Sequence, residues 1–272
     1  MAAAEKATAG AFAGLGTRAL VGAGLAVLAI AATVRGGLAF LLLVAAGALL
    51  VLREWAAIHS LGRGQLLVGL ALLGLACLLA HLGRAPEALL LLAVGAGVAA
   101  IFALTFAGRA RGFLFTGLLY AGLPAVALLW LRGEDKGAAL VLWVMGIVWA
   151  TDVAAYFAGR AIGGPRLAPR LSPKKTWAGL AGGVLAAALA SLAWGQALGW
   201  GAPLPALALA GAGLALLAQA GDLYESWLKR RVGLKDSGRL LPGHGGLMDR
   251  VDGLVPVSAV AGFLVAAFGS PA

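Results

Sequence analysis

Residues 203–221 read PLPALALAGAGLALLAQAG, and residues 226–252 read SWLKRRVGLKDSGRLLPGHGGLMDRVD. The first stretch carries no charge and is about as long as a helix that crosses the hydrocarbon core of a bilayer, roughly 20 residues. The second packs six cations, three aspartates and a histidine into 27 residues. An apolar span running into a charged island places that island in water at a membrane surface. Its contents suit phosphate and a divalent metal. Basic side chains hold phosphate oxygens, carboxylates hold Mg²⁺, and glycines let backbone N–H groups approach an anion closely. Lys and Arg at span ends also set topology and meet lipid headgroups, but that role leaves the interleaved aspartates without a purpose.

The rest of the chain repeats the first pattern. Of 272 residues 62% are apolar and 12% charged, about half the charge of a soluble domain. Glycine, at 42 residues, is enriched as in membrane helices that pack backbone to backbone. The fold class read from this is all-α: a polytopic integral membrane protein. Charged or Pro/Gly-rich breaks cut it into about nine transmembrane helices, near 18–34, 36–52, 64–82, 87–107, 112–131, 137–158, 177–198, 203–221 and 251–269. Only Arg35-Gly36-Gly37 parts the first two, so residues 18–52 read as either two helices or one long one. Residues 1–136 group as N-terminal helices, and residues 137–272 as a C-terminal catalytic part with loops at 159–176 and 222–250. Residues 1–17 lack the basic and apolar regions of a removable signal. The single cysteine, Cys77, lies in an apolar run and offers no internal disulfide.

Alternating the nine helices with the N-terminus in the cytoplasm puts seventeen Lys and Arg residues inside and four (Arg35, Arg84, Arg132 and Lys136) outside. That bias fixes the orientation by the positive-inside rule and places both long loops on the cytoplasmic face of a cell inner (plasma) membrane, multi-pass. The formal net charge of +10 then points to anionic membrane lipids rather than nucleic acid, because the cations sit between spans.

Carboxylates converge on the same face. Asp222 and Glu225 stand at i and i+3 where the eighth helix leaves the membrane, and Asp249 and Asp252 stand at i and i+3 where the ninth begins. Asp152 lies about one and a half turns inside its helix, where an acid is costly and lines a cavity or pairs. Acids in a first turn also complement the helix dipole, a second reading of Asp249 and Asp252. Mg²⁺ takes oxygen ligands, typically one or two protein carboxylates plus water and phosphates. Asp222 and Asp249 are the leading metal ligands, with Asp252 and Asp152 next. Ser172-Pro173-Lys174-Lys175-Thr176 joins cations to hydroxyls at a helix start, a ready anion site. His244 sits among glycines as a general acid, a phosphate donor or a turn residue.

Ser226, Leu228, Lys229-Arg230, Lys235-Asp236, Pro242, His244-Gly245-Gly246, Asp249-Arg250 and Asp252 reproduce a signature. Through it the chain resembles CDP-diacylglycerol synthase, also called phosphatidate cytidylyltransferase. Residues 151–160, TDVAAYFAGR, and 172–179, SPKKTWAG, resemble the same family, although many relatives carry Glu or Gln where Ala178 stands. The resemblance covers residues 151–252 in motif and the first 150 in hydropathy alone. It implies a transfer of the cytidylyl group of CTP to phosphatidate, releasing pyrophosphate, in phospholipid biosynthesis. It also implies Mg²⁺ accompanied by K⁺, and a homodimer. Catalysis would then rest on Asp222, Asp249, Lys175 and His244. Substrate binding would rest on Ser172, Lys174, Lys175, Thr176, Lys229, Arg230, Lys235, Asp236, Gly245, Gly246 and Arg250. An anion transporter is the main alternative class, and its signature, broken helices with polar groups at the midplane, is not evident here. A phosphatidyl-transferring enzyme that uses CDP-lipid would need an Asp-Gly pattern that the Asp152 stretch lacks.

Overall fold

Inside a bilayer no water takes up backbone N–H and C=O groups, so an apolar chain must satisfy them within helices. The computed structural model describes residues 20–105, 113–238, 240 and 245–269, and these follow that rule. Helix α1 (Leu20–Arg35) is followed by α2 (Gly37–Ile58), α3 (Arg63–His81), α4 (Ala85–Thr105), α5 (Phe113–Gly133) and α6 (Gly137–Ile162). A short hairpin of β1 (Arg166–Ala168) and β2 (Ser172–Thr176) leads to α7 (Trp177–Ala197) and α8 (Leu204–Arg231). The four-residue α9 (Met248–Val251) and then α10 (Leu254–Phe268) complete the described chain. Seven of these helices, α2 to α8, are long and apolar enough to cross a membrane; α1 and α10 are shorter apolar helices.

Of the nine expected spans, seven appear as helices of spanning length and the first and last as shorter apolar helices, with differences that matter at their ends. The described residues 20–52 lie in two helices, because Gly36 takes φ 68° and breaks the run. There the Arg132 guanidinium donates to the carbonyls of Thr33 (2.6 Å) and Val34 (3.2 Å), and a side chain at Gly36 would collide with it. Helix α8 does not stop at residue 221 but continues to Arg231. Its 28 residues reach roughly 42 Å at 1.5 Å per residue, more than the hydrocarbon core of about 30 Å. That length leaves room for the final turns to extend past the core, and Lys229, Arg230 and Arg231 complement the dipole at the helix C-terminus. The 159–176 segment is not a plain loop: α6 runs on to Ile162, and β1 pairs antiparallel with β2, Ala168 opposite Ser172 and Arg166 opposite Thr176.

Small residues decide how closely the helices approach. Along α7, a methyl at Gly179 or Gly183 would press on the carbonyls of Ala155 or Thr151 in α6, and one at Gly211 of α8 on that of Ala187. Such contacts bring backbones together without bulky side chains between them. Gly221 of α8 lies against the Asp252 carbonyl and Pro256, so the exit of α8 meets the start of α10. Behind this group Leu52, Trp55, Leu73, Leu92 and Leu118 fill a buried core drawn from α2 to α5. The ends of α2, α6 and α8 and the starts of α7 and α9 consequently gather at one end of the bundle. Arg132 and the end of α1 lie at the other.

Candidate active site

A polar cavity of about 320 Å³ opens at the gathered end, lined by Asp152, Asp222, Lys229, Asp236, Asp249, Arg250 and Asp252. Helix α6 supplies Asp152, α8 supplies Asp222 and Lys229, and the α8–α10 connection supplies the rest. Thus all four candidate metal ligands, drawn from three separate parts of the sequence, face one space. So do Lys229, Asp236 and Arg250 of the candidate substrate-binding set.

Two lysines bridge the carboxylates. Lys175 reaches from β2 to α8, its Nζ 2.6 Å from Asp222 Oδ2. Lys229 Nζ donates to Asp249 Oδ1 and lies 3.3 Å from Glu225 Oε1, one turn earlier on α8. Glu225 is fully buried, and Lys229 is the cation beside it. Asp249 is held on its other side too: Oδ2 accepts the N–H of Gly246 (2.8 Å) and of Ser237 (2.9 Å). Burial alone would raise the Asp249 carboxyl, but Lys229 and those two N–H groups outweigh it and hold it below the ordinary range. Asp252 behaves in the opposite way. Burial, and then the charge of Asp222, push it up to about 6, although its Oδ1 accepts the Gly253 N–H.

The glycines of the His-Gly-Gly stretch have a structural reason. Gly245 adopts φ 81°, and a side chain there would strike Asp249 and Asp236. One at Gly246 would strike Ser237 and Glu54. The anions that this backbone approaches in the structure are the protein's own carboxylates.

Glu54 is the residue that sequence reasoning missed. It sits near the end of α2, 8% exposed. Its Oε1 accepts the N–H of Leu247 and its Oε2 the N–H of Met248, both at 2.8 Å, while Ser237 Oγ donates to Oε2 at 2.8 Å. The available signal was a lone acid, after Arg53 and before Trp55, at the end of an apolar run.

The remaining predicted residues divide. Thr176 is buried and its hydroxyl accepts the Gly179 N–H at 3.0 Å, so it caps α7. Ser172 and Lys174 lie on β2 without lining the cavity, and Lys174 is exposed. Arg230 turns to the Leu234 carbonyl at 3.2 Å, and Lys235 is exposed. His244 lies outside the described residues.

The donor set suits Mg²⁺, since it is all carboxylate oxygen. Among the described residues no three such groups close on a metal-sized point, and Lys175 and Lys229 sit on the two leading ligands. That arrangement fits an ion that takes one or two carboxylates and fills its shell with water and phosphate.

Comparison with known proteins finds relatives of one kind. The sequence profile described as the cytidylyltransferase family matches residues 16–268. A phosphatidate cytidylyltransferase of Brucella suis biovar 1 is 48% identical over 188 residues, covering 66% of this chain and 68% of the relative. One from Pseudomonas aeruginosa is 39% identical over 234 residues, 80% of this chain and 85% of the relative. One from Bacillus subtilis is 36% identical over 165 residues, 60% and 61%.

Proposed function

This chain belongs to the cytidylyltransferase family, and from that premise we propose that it transfers the cytidylyl group of CTP to phosphatidate, with Mg²⁺, at the carboxylate-lined cavity. An oxygen of the phosphatidate phosphate bonds to the α-phosphorus of CTP, the bond from that phosphorus to the α–β bridging oxygen breaks, and pyrophosphate leaves. The products are CDP-diacylglycerol and pyrophosphate.

The observation that carries this reading is the cavity's own charge. Five aspartates and only two cations line it. A triphosphate would be repelled by such a wall, so a site built for CTP needs cations to come with it. Mg²⁺ bound there would neutralise phosphate oxygens and stabilise the charge that builds on the pyrophosphate. Asp222 and Asp249 would hold it, with Asp252 and Asp152 beside them and K⁺ as a companion ion.

The chain's own residues supply the rest. Lys175 and Lys229 compensate Asp222 and Asp249 in the structure, and in the reaction they would be the ammonium groups that meet phosphate oxygens, while the aspartates would hold the metal. Arg250, on the rim, adds a planar guanidinium suited to two phosphate oxygens. The attacking phosphate is already anionic and needs no strong general base. Positioning and electrostatics therefore carry the rate, as in other phosphoryl-type transfers. The long reach of α8 beyond the hydrocarbon sets the cavity at headgroup level, where a membrane lipid brings its phosphate and CTP arrives from water. The seventeen-to-four cation split orients that end toward the cytoplasm, in the inner membrane of a bacterium.

The test is direct. Purified protein in detergent, given labelled CTP, phosphatidate and Mg²⁺, should release labelled CDP-lipid and pyrophosphate, and chelation with EDTA should stop both. Failure to form CDP-lipid at any Mg²⁺ concentration would end this reading.

A further inference from the structure

We infer that Glu54 of α2, which lies outside the cavity lining, is a positioning residue that sets the metal-facing oxygen of Asp249. This rests on the reading of Asp249 as a cation ligand. A carboxylate 8% exposed is expensive to bury, and it is stable here because three donors converge on it. Two of them, the N–H groups of Leu247 and Met248, belong to the first turn of α9, whose leading amides have no partner within the helix. The third is the Ser237 hydroxyl.

Neighbouring donors on the same two segments hold Asp249. The Gly246 N–H serves Asp249, and the next two along the chain serve Glu54. The Ser237 N–H goes to Asp249 Oδ2, while its hydroxyl lies 2.8 Å from Glu54 and 3.1 Å from Asp249. One set of donors is thus divided between two carboxylates. With Oδ2 of Asp249 committed to the peptide N–H groups of Gly246 and Ser237, Oδ1 is the oxygen that pairs with Lys229, itself a residue of the cavity wall. Without Glu54, the 246–248 peptides and Ser237 lose their fixed point, and Oδ1 loses its aim. The absence of side chains at Gly238 and Gly246, where a Cβ would press on Glu54, keeps this approach open. A tether that only joined α2 to the loop would need no connection with Asp249.

Glu54→Gln keeps the volume and turns an amide N–H₂ toward donors. The experiment titrates Mg²⁺ alone against the melting temperature of purified protein, then measures kcat and KM for CTP. Because supporting groups around metal ligands commonly change affinity ten- to a hundredfold, the half-saturating Mg²⁺ concentration should rise about tenfold. The kcat should fall with it, and KM for CTP should stay near wild type. Adding Glu54→Gln to Asp249→Asn should change the Mg²⁺ titration no further, because Glu54 acts through Asp249. Ser237→Ala, which removes only the shared hydroxyl, should shift the titration in the same direction by less, and it carries the test if Glu54→Gln does not fold. A wild-type Mg²⁺ titration and kcat in either folded variant, whatever the melting temperature, would overturn the inference. A wild-type protein that neither binds Mg²⁺ nor makes CDP-lipid would instead remove the reading on which it stands.

Discussion

Lys175→Gln separates a phosphate-handling lysine from one that only marks the cytoplasmic side. Lys175 Nζ lies 2.6 Å from Asp222 Oδ2, with side chains 19% and 32% exposed. At that depth the pair is neither a surface ion pair, worth about 0–1 kcal/mol, nor a fully buried one, whose disruption costs about 3–5 kcal/mol. Loss of stability near 1–2 kcal/mol is therefore expected, too little to unfold the bundle. The catalytic effect should be larger. If the ammonium passes to a phosphate once metal occupies Asp222, its loss removes one charge-assisted contact worth about 1.5–3 kcal/mol, or ten- to a hundredfold in kcat/KM. Lys174→Gln is the internal control: that side chain is exposed and does not line the cavity. A surface change of this kind stays within about 0.5 kcal/mol, or roughly twofold. The assay is steady-state CDP-lipid formation by both variants, at fixed Mg²⁺, on protein shown to be inserted and folded. Equal kcat/KM for wild type and Lys175→Gln would assign the lysine to topology and refute the reasoning.

Asp222→Asn and Asp249→Asn should each lower turnover by orders of magnitude while leaving the helical fold, as circular dichroism and CDP-lipid assays would register; near-normal turnover at limiting Mg²⁺ would remove that residue from the metal site. Asp252 binds its proton more tightly folded than unfolded, so its contribution to stability falls as pH rises from the ordinary carboxylate range through about 6. Asp252→Asn should consequently raise the melting temperature at pH 7.5 in EDTA and flatten the loss between pH 4 and 6. A lower melting temperature at pH 7.5 would count against it. For orientation, single cysteines replacing the exposed Lys174 and Lys235 in a Cys77→Ala background should react with impermeant reagent only from the cytoplasmic side; labelling from outside intact cells would reverse the topology.

The helices were legible because an uncharged run of span length has few other fates in a membrane, and the motif residues were legible because acids between basic residues at a span end have few structural uses. Their convergence was less so. Asp152 and Asp222 lie in different helices, and their meeting depends on Gly179, Gly183 and Gly211 letting α6, α7 and α8 close up. The span of α8 was set to end before Asp222, with Asp222 and Glu225 sharing a face if the helix continued, and it continues to Arg231. The sequence placed the Thr176 hydroxyl at a helix start but did not show that it accepts the Gly179 N–H as the cap of α7. Glu54 escaped altogether, since the donors that hold it lie far along the chain, at Ser237, Leu247 and Met248, and no local pattern announces them.

The central claim is that the aspartates of one cavity hold the cation with which cytidylyl transfer proceeds. Parallel reactions with CTP labelled at the α- or the γ-phosphate, run across a Mg²⁺ titration with wild-type protein and Asp249→Asn, test it most directly. The account predicts α-label in CDP-diacylglycerol and γ-label in pyrophosphate, in equal amounts, with the wild type saturating in Mg²⁺ and the variant failing at concentrations that saturate the wild type. Label from the γ-phosphate in lipid, or wild-type Mg²⁺ dependence in Asp249→Asn, would contradict it.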